Sequence, residues 1–282
     1  MNKLSMDKKV SVISALIEGC SVRSTGRLTG VAKGTILRLL AEVGTACAAF
    51  QDAAMRKVHA GRIQVDEIWS CVGAKQKNVT PEMAEARLCG DVWTFVAIEA
   101  QSKLVISWLM GRRDAGTATE FLQDLQGRLA NRVQLTTDGH KMYLTAVPDA
   151  FGPTGIDYAQ LVKVFGSDPE GQKRYSPAQC LGVTSFPILG DPDQKHVSTS
   201  YIERQNLTMR MGMWRFTRLT NAFSKKMENH MHSVSLFYMH YNFCRIHQTL
   251  RVTPAMEAGI SAKLWSIHDI VALLDAHTSL AA

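Results

Sequence analysis

The feature that most constrains this chain is a change of apolar period at His59-Ala60-Gly61. Before it, apolar residues recur at helical spacing; after it, short continuous or alternating runs read as strands. "RIQVDEIWSCVG" is the first strand, and Lys75 to Arg87 is a polar insertion with Pro81. "DVWTFVAIEA" and "KLVISWLMG" are two strands joined at Gln101-Ser102, a hairpin pattern. "TATEFLQDLQGRLA" places Phe121, Leu122, Leu125 and Leu129 on one helix side. "RVQLTTDGH" is a fourth strand, a short helix follows, and "LVKVFG" is the fifth. Phe165 to Lys195, rich in Gly, Pro, Asp and Ser, reads as a loop. Helices are expected from Ser198 through Met213 and from about Met227 to His247, the latter packing through Met231, Val234, Phe237, Tyr238 and Tyr241. A Pro-initiated helix begins at "TPAMEAG".

The expected class is therefore α/β, a mixed five-stranded sheet with helices. Three hairpin-connected strands, then helix, strand, helix, strand, helix, is the order of ribonuclease H-like domains. Other α/β folds share that order, so the placement of the acids has to decide.

The N-terminal part reads as a small all-α unit. Val10, Ile13, Leu16 and Ile17 mark a first helix between about Ser5 and Glu18. Val22 to Leu28, the turn Thr29-Gly30-Val31, and Lys33 to Val43 then form a helix-turn-helix pattern. The second helix of such a unit enters the DNA major groove, so Lys33, Thr35 and Arg38 would face DNA. A helical dimerisation or capping element has the same pattern. Ala46 to Val58 reads as a separate connecting helix. The expected organisation is 1–60 as DNA-binding region, 61–252 as catalytic domain and 253–282 as a helical tail.

Charge supports a polyanionic partner. The net charge is +7, and from Lys195 to Arg251 nine basic residues face only Glu203 and Glu228. Six scattered cysteines with no CxxC pair argue against a zinc ribbon or disulfide framework. The start lacks an apolar signal core, and the most apolar span is interrupted by Glu99, Gln101 and Lys103, so a cytoplasmic protein without a membrane span is expected.

Three acids stand out. Asp66 sits in an apolar strand, Asp138 closes the fourth strand, and Glu203 falls in the helix after the long loop. Ligands gather at the carboxyl ends of strands in such sheets. Mg²⁺ takes oxygen ligands, and two such ions about 4 Å apart clamp both oxygens of an in-line phosphoryl displacement. Glu203 has a second reading, as half of a surface ion pair with a cation such as Lys195. Glu67 would point to the opposite strand face and is left out. His140 either contacts a phosphate or water or caps the following helix; Asn206 positions Glu203 or a phosphate. On the Glu203 helix, Arg210 lies on the same side, where it could grip a phosphate. Arg204, Arg215, Arg218, Lys225 and Lys226 together form a DNA track.

The blocks "VDEIWSCVGAKQK", "WTFVAIEAQSKLVISWLMGRR", "TTDGHKMY" and "YIERQNLTMRMGMWRFTRLTNAFSK" resemble those of bacterial insertion-sequence-1 family transposases, over about Arg62 to Arg251. The resemblance implies a ribonuclease H-like domain with Asp66, Asp138 and Glu203 as an Asp-Asp-Glu triad holding two Mg²⁺ ions, Mn²⁺ substituting. It also implies Arg210 as the basic residue seven positions after the glutamate. Cleavage and strand transfer at element ends, double-stranded DNA as partner, and a homo-oligomer on that DNA complete the expectation. The alternative is an inactive or regulatory helix-turn-helix protein retaining the fold. A tyrosine recombinase would need its Arg and His residues spread through a domain, whereas "HYNFCRIH" compresses them.

Overall fold

Short polar side chains start the first helices. Ser5 accepts from the Lys8 N–H to open α1 (Met6–Ile17), and Ser21 accepts from the Ser24 N–H to open α2 (Val22–Thr29). Gly30 ends α2 in the left-handed region, φ 69°. The computed structural model describes residues 4–86, 89–166, 180–217 and 220–280.

α3 (Lys33–Ala54) then runs unbroken for 22 residues. The connecting helix expected to begin at Ala46 is its second half. Ala46, Cys47 and Gln51 continue the buried stripe of Ile36, Leu39, Leu40 and Val43, so nothing stops the helix. Gly44 resembles a helix end but serves a close approach. A Cβ there would lie 2.5 Å from His232 Cβ, on the helix packed against it.

The remaining elements are β1 (Arg62–Val72), α4 (Pro81–Ala86), β2 (Gly90–Glu99), β3 (Val105–Gly111), α5 (Ala115–Arg128), β4 (Gln134–Asp138) and α6 (Tyr143–Phe151). They continue with β5 (Asp157–Phe165), β6 (Cys180–Leu189), α7 (Ser200–Gly212), α8 (Met227–Phe243), α9 (Pro254–Glu257) and α10 (Ile267–Leu280). The sheet order is β3-β2-β1-β4-β5-β6. β2 runs antiparallel to both β3 and β1; β1, β4 and β5 are parallel, and β6 returns antiparallel to β5.

Among the described residues six strands therefore stand where five were expected, and the segment read as one loop contains β6. This strand lies at the sheet edge with most residues exposed, so it has no buried face to impose alternation. Pro187 stands in its ladder opposite Ala159, next to a register shift, a place an edge strand tolerates. α8 stops at Phe243 rather than His247, because the Cys244 and Arg245 N–H groups both return to the His240 carbonyl. Met231 on α8 is exposed, not packed.

Alternation along β1 assigns the two sides of the sheet. Ile63 and Val65 join Phe95, Phe121, Leu122 and Tyr143 in a core that continues through Val12, Ile36, Leu40, Met239 and Ile270. Ile68 faces the other way, into a cluster with Val96, Ile202, Met209, Val234 and Tyr238. α7 thus lies on the face carrying the even-numbered β1 residues, α5 and α6 on the face carrying the odd ones. No helix among the described residues is long and apolar enough to cross a membrane.

Candidate functional site

β1 and β4 run parallel in register, with Val65 opposite Thr137. One step further along are Asp66 and Asp138. β4 ends there, while β1 continues paired with β2 as far as Cys71. The result is a notch beside β1, at the carboxyl end of β4, with the two carboxylates at its edge.

Asp66, Glu67 and Asp138 each present an oxygen there, all within 4.8 Å of one another. Asp66 Oδ1 accepts from the Glu67 N–H at 2.8 Å and Oδ2 from Asn206 Nδ2 at 2.9 Å. Burial first, then the charges of Glu67 and Asp138 and finally Glu203, push the Asp66 carboxyl up to about 7. Asp138 Oδ1 accepts from the His140 N–H at 3.0 Å.

Glu67 does belong to this cluster. Alternation sends it to the face opposite Asp66, as expected, but there it is buried and still close to both aspartates. Its carboxylate accepts from Arg113 Nε at 2.6 Å and from Tyr143 Oη at 2.9 Å. Burial and then Asp138 raise its pKa, while Arg113 and Tyr143 oppose the rise. The available signal was a second acid in the same apolar strand, with Arg112-Arg113 at the end of β3 to meet it.

α7 is fixed by a residue that sequence reading missed. Gln64, buried on β1 two residues before Asp66, accepts at Oε1 from the N–H groups of Tyr201 at 2.8 Å and Ile202 at 3.1 Å. The strand thereby caps the helix that carries Glu203. Glu203 Oε1 accepts from Thr199 Oγ1 at 2.6 Å and pairs with Lys163 of β5. Lys163, not Lys195, is its cation, because β5 lies next to β4 in the sheet. Glu203 stands outside the three-acid group, although its charge reaches Asp66.

The other predicted residues divide. Asn206 is buried on α7 and donates to Asp66, not to Glu203. His140 Nδ1 accepts from the Met142 N–H at 3.3 Å, just before α6. Lys33 and Arg38 are exposed at the start of α3, with Thr35 half-buried between them. Arg204, Lys225 and Lys226 are exposed and Arg210 is half-buried. Lys225 Nζ sits 4.2 Å from the Phe223 ring centroid. Arg215 turns inward, donating from Nη1 to Ser224 Oγ at 2.8 Å and to the Asn229 carbonyl at 3.2 Å. These bonds tie this arginine to the segment before α8, and burial pushes its pKa down to about 10. Arg218 lies outside the described residues.

No family model and no curated protein matches the chain. Among solved structures, one match is the cryo-EM structure of a simian T-cell lymphotropic virus intasome in complex with PP2A regulatory subunit B56 gamma. Identity is 16% and the TM-score 0.41, over 92% of this chain and 76% of that chain. At that identity and TM-score, function has to be read from this chain's own residues.

Proposed function

We propose that the chain is a DNA transposase with a ribonuclease H-like catalytic fold, which cleaves and rejoins DNA strands by metal-dependent phosphoryl transfer. The observation that carries this reading is the meeting of Asp66 and Asp138 at neighbouring parallel strands, beside a helix that β1 itself caps and that bears Glu203. Antiparallel β3-β2-β1 followed by parallel β4 and β5 supports the fold.

The donor set fits a hard divalent cation such as Mg²⁺ or Mn²⁺. It is all carboxylate oxygen, and burial, then the neighbouring like charges, raise the Asp66 pKa to about 7, a rise that a bound cation would oppose. When bound, such ions supply Lewis acidity to the reacting oxygens and neutralise phosphate charge. Asp66 and Asp138 would hold them, with Glu203, paired here with Lys163, as the third carboxylate of the set. Asn206 holds the Asp66 carboxylate in one orientation. Water would add to phosphorus as the P–O3′ bond breaks; the freed 3′-hydroxyl would then add to a target phosphorus, displacing another 3′ oxygen. Lys33, Thr35 and Arg38 take the element ends, and Arg204, Arg210, Lys225 and Lys226 hold the flanking backbone. Joining two ends calls for at least two copies of the chain.

The Lys163–Glu203 pair favours a second reading, a DNA-binding regulator whose glutamate is structural. Labelled DNA spanning both flanks of the chain's own gene, with Mg²⁺ or EDTA, separates the two. The transposase reading expects metal-dependent nicks at defined ends plus joined products, both lost in Glu203→Gln. Binding without cleavage by either protein supports the regulator. Cleavage by Glu203→Gln at the wild-type rate sinks the triad.

A further inference from the structure

On that reading of the site, we propose that Arg113 is the side chain that grips the scissile phosphate, with Glu67, Tyr143 and Trp93 as its positioning residues. Two contacts hold this arginine from behind. Its Nε donates to Glu67 Oε1 at 2.6 Å, and its guanidinium carbon lies 4.5 Å from the Trp93 ring centroid. Glu67 is itself immobilised, because its other oxygen takes the Tyr143 hydroxyl at 2.9 Å. The Glu67 side chain has 0% exposure, whereas that of Arg113 has 35%.

That asymmetry is the core of the inference. Half-exposure spares the cation a desolvation cost and also leaves the guanidinium open to the notch. Here the acid is buried and the cation reaches the notch, with Nη2 4.0 Å from Asp138 Oδ2. The Nε edge is spent on Glu67, so the far end of the fork is the part offered to the site. A guanidinium fixed from behind and stacked on an indole has lost most of its rotamer freedom before substrate arrives. Next to a carboxylate proposed to hold a cation, it can meet a non-bridging phosphate oxygen from the opposite side. The third acid of the cluster thus acts through the arginine and not as a ligand.

The test compares wild type with Arg113→Gln, Arg113→Lys and Glu67→Gln in two measurements. One is Mn²⁺ binding by calorimetry without DNA; the other is single-turnover cleavage of the gene-flanking duplex. Removing a positive charge beside the carboxylates leaves Mn²⁺ binding of Arg113→Gln as tight as wild type or a few-fold tighter, while cleavage falls about 100-fold. Lysine keeps the charge without the fork and regains only about tenfold of that loss. Glu67→Gln slows cleavage about tenfold, since the guanidinium is less firmly aimed.

Arg113→Gln cleaving within about twofold of wild type overturns the proposal, as does Mn²⁺ affinity falling in step with cleavage, the mark of a purely structural role. Should the glutamine variant fail to fold, lysine carries the test, and wild-type cleavage by Arg113→Lys overturns it. Wild type that binds Mn²⁺ yet cleaves nothing removes the parent reading and this one with it. Wild type that cleaves beside an unimpaired Arg113→Gln removes only this one.

Discussion

Asn206 donates a hydrogen bond from Nδ2 to Asp66 Oδ2 at 2.9 Å, tying α7 to a strand residue 140 positions earlier. Asn206 is buried, and its Oδ1 has no hydrogen-bond partner. A buried amide with half its capacity unused is retained at a cost of roughly 1–3 kcal/mol, which the bond to the aspartate offsets. Asn206→Ala should weaken Mn²⁺ binding by about 10- to 100-fold, the usual range for a residue that orients a ligand. Calorimetry on the variant checks this; unchanged affinity would leave the amide a packing residue.

Asp66 sets the sign of a pH effect. Its folded pKa of about 7 lies above the 3.8 of an unperturbed aspartate, so the folded state binds the extra proton between those values. Metal-free stability from this group is present below about pH 4 and is lost as pH rises through 7. A cation bound at the proposed site would replace that proton. The rise in Tm on adding MnCl₂ should therefore be larger at about pH 8 than at about pH 5. An increment that does not change with pH would count against Asp66 as a ligand.

His230 works in the opposite direction. Its Nε2 is 2.9 Å from Ser70 Oγ and its Nδ1 3.0 Å from Ser224 Oγ, with the Phe216 ring stacked at 5.1 Å. Burial, then Arg215, pushes its pKa down to about 3, below the 6.5 of a free imidazole. The folded state therefore lacks a proton that the unfolded chain takes up, and stability falls as pH drops below 6.5. His230→Gln should be less stable at neutral pH but flatter toward pH 5, by about 1.4 kcal/mol per pH unit. Urea melts across that range read the slope. A variant slope equal to wild type would mean the imidazole is already charged in the fold.

What the sequence hid follows from where each signal resides. Asp66 was visible because an acid inside an apolar strand is a local anomaly, and Asp138 because it closes a strand at a turn. Arg113 was not, because its partner Glu67 lies 46 positions away and only the sheet brings them together. β6 carried no pattern because its residues stay exposed, and Gly44 mimicked a break in α3 that α8 makes necessary. Arg215 looked like its basic neighbours because composition cannot tell an arginine that turns inward from one that faces water.

Lys163 and Glu203 make a pair that is open to water, with side chains 28% and 44% exposed. Such pairs contribute about 0–1 kcal/mol, so Lys163→Met should shift stability by no more than that. Its effect should appear in metal binding. With the competing ammonium gone, Glu203 is released and Mn²⁺ binds several-fold more tightly. Calorimetry on Lys163→Met decides between the two readings of Glu203: a tighter site supports the triad, and an unchanged one supports the structural ion pair.

Gly44 tests whether the helix that carries Lys33 and Arg38 depends on its seat against α8. A Cβ at Gly44 would come within 2.9 Å of three His232 atoms, two of them backbone, so no side-chain rotation relieves the clash. The same contact is fastened by Ser235 Oγ donating to the Gly44 carbonyl at 2.9 Å and Gln51 Nε2 donating to the Ser235 carbonyl at 3.1 Å. Gly44→Ala should destabilise by about 1–3 kcal/mol, since the two helices must move apart. Gly127→Ala on α5 is the matched control: nothing lies within 4 Å of its added Cβ, and it should stabilise by up to about 1 kcal/mol. If thermal melts show both glycines tolerating alanine equally, α3 is not held against α8 as described. A fall confined to Gly44→Ala, accompanied by weaker binding of the gene-flanking duplex, would mean that the proposed DNA-reading end of α3 takes its orientation from α8.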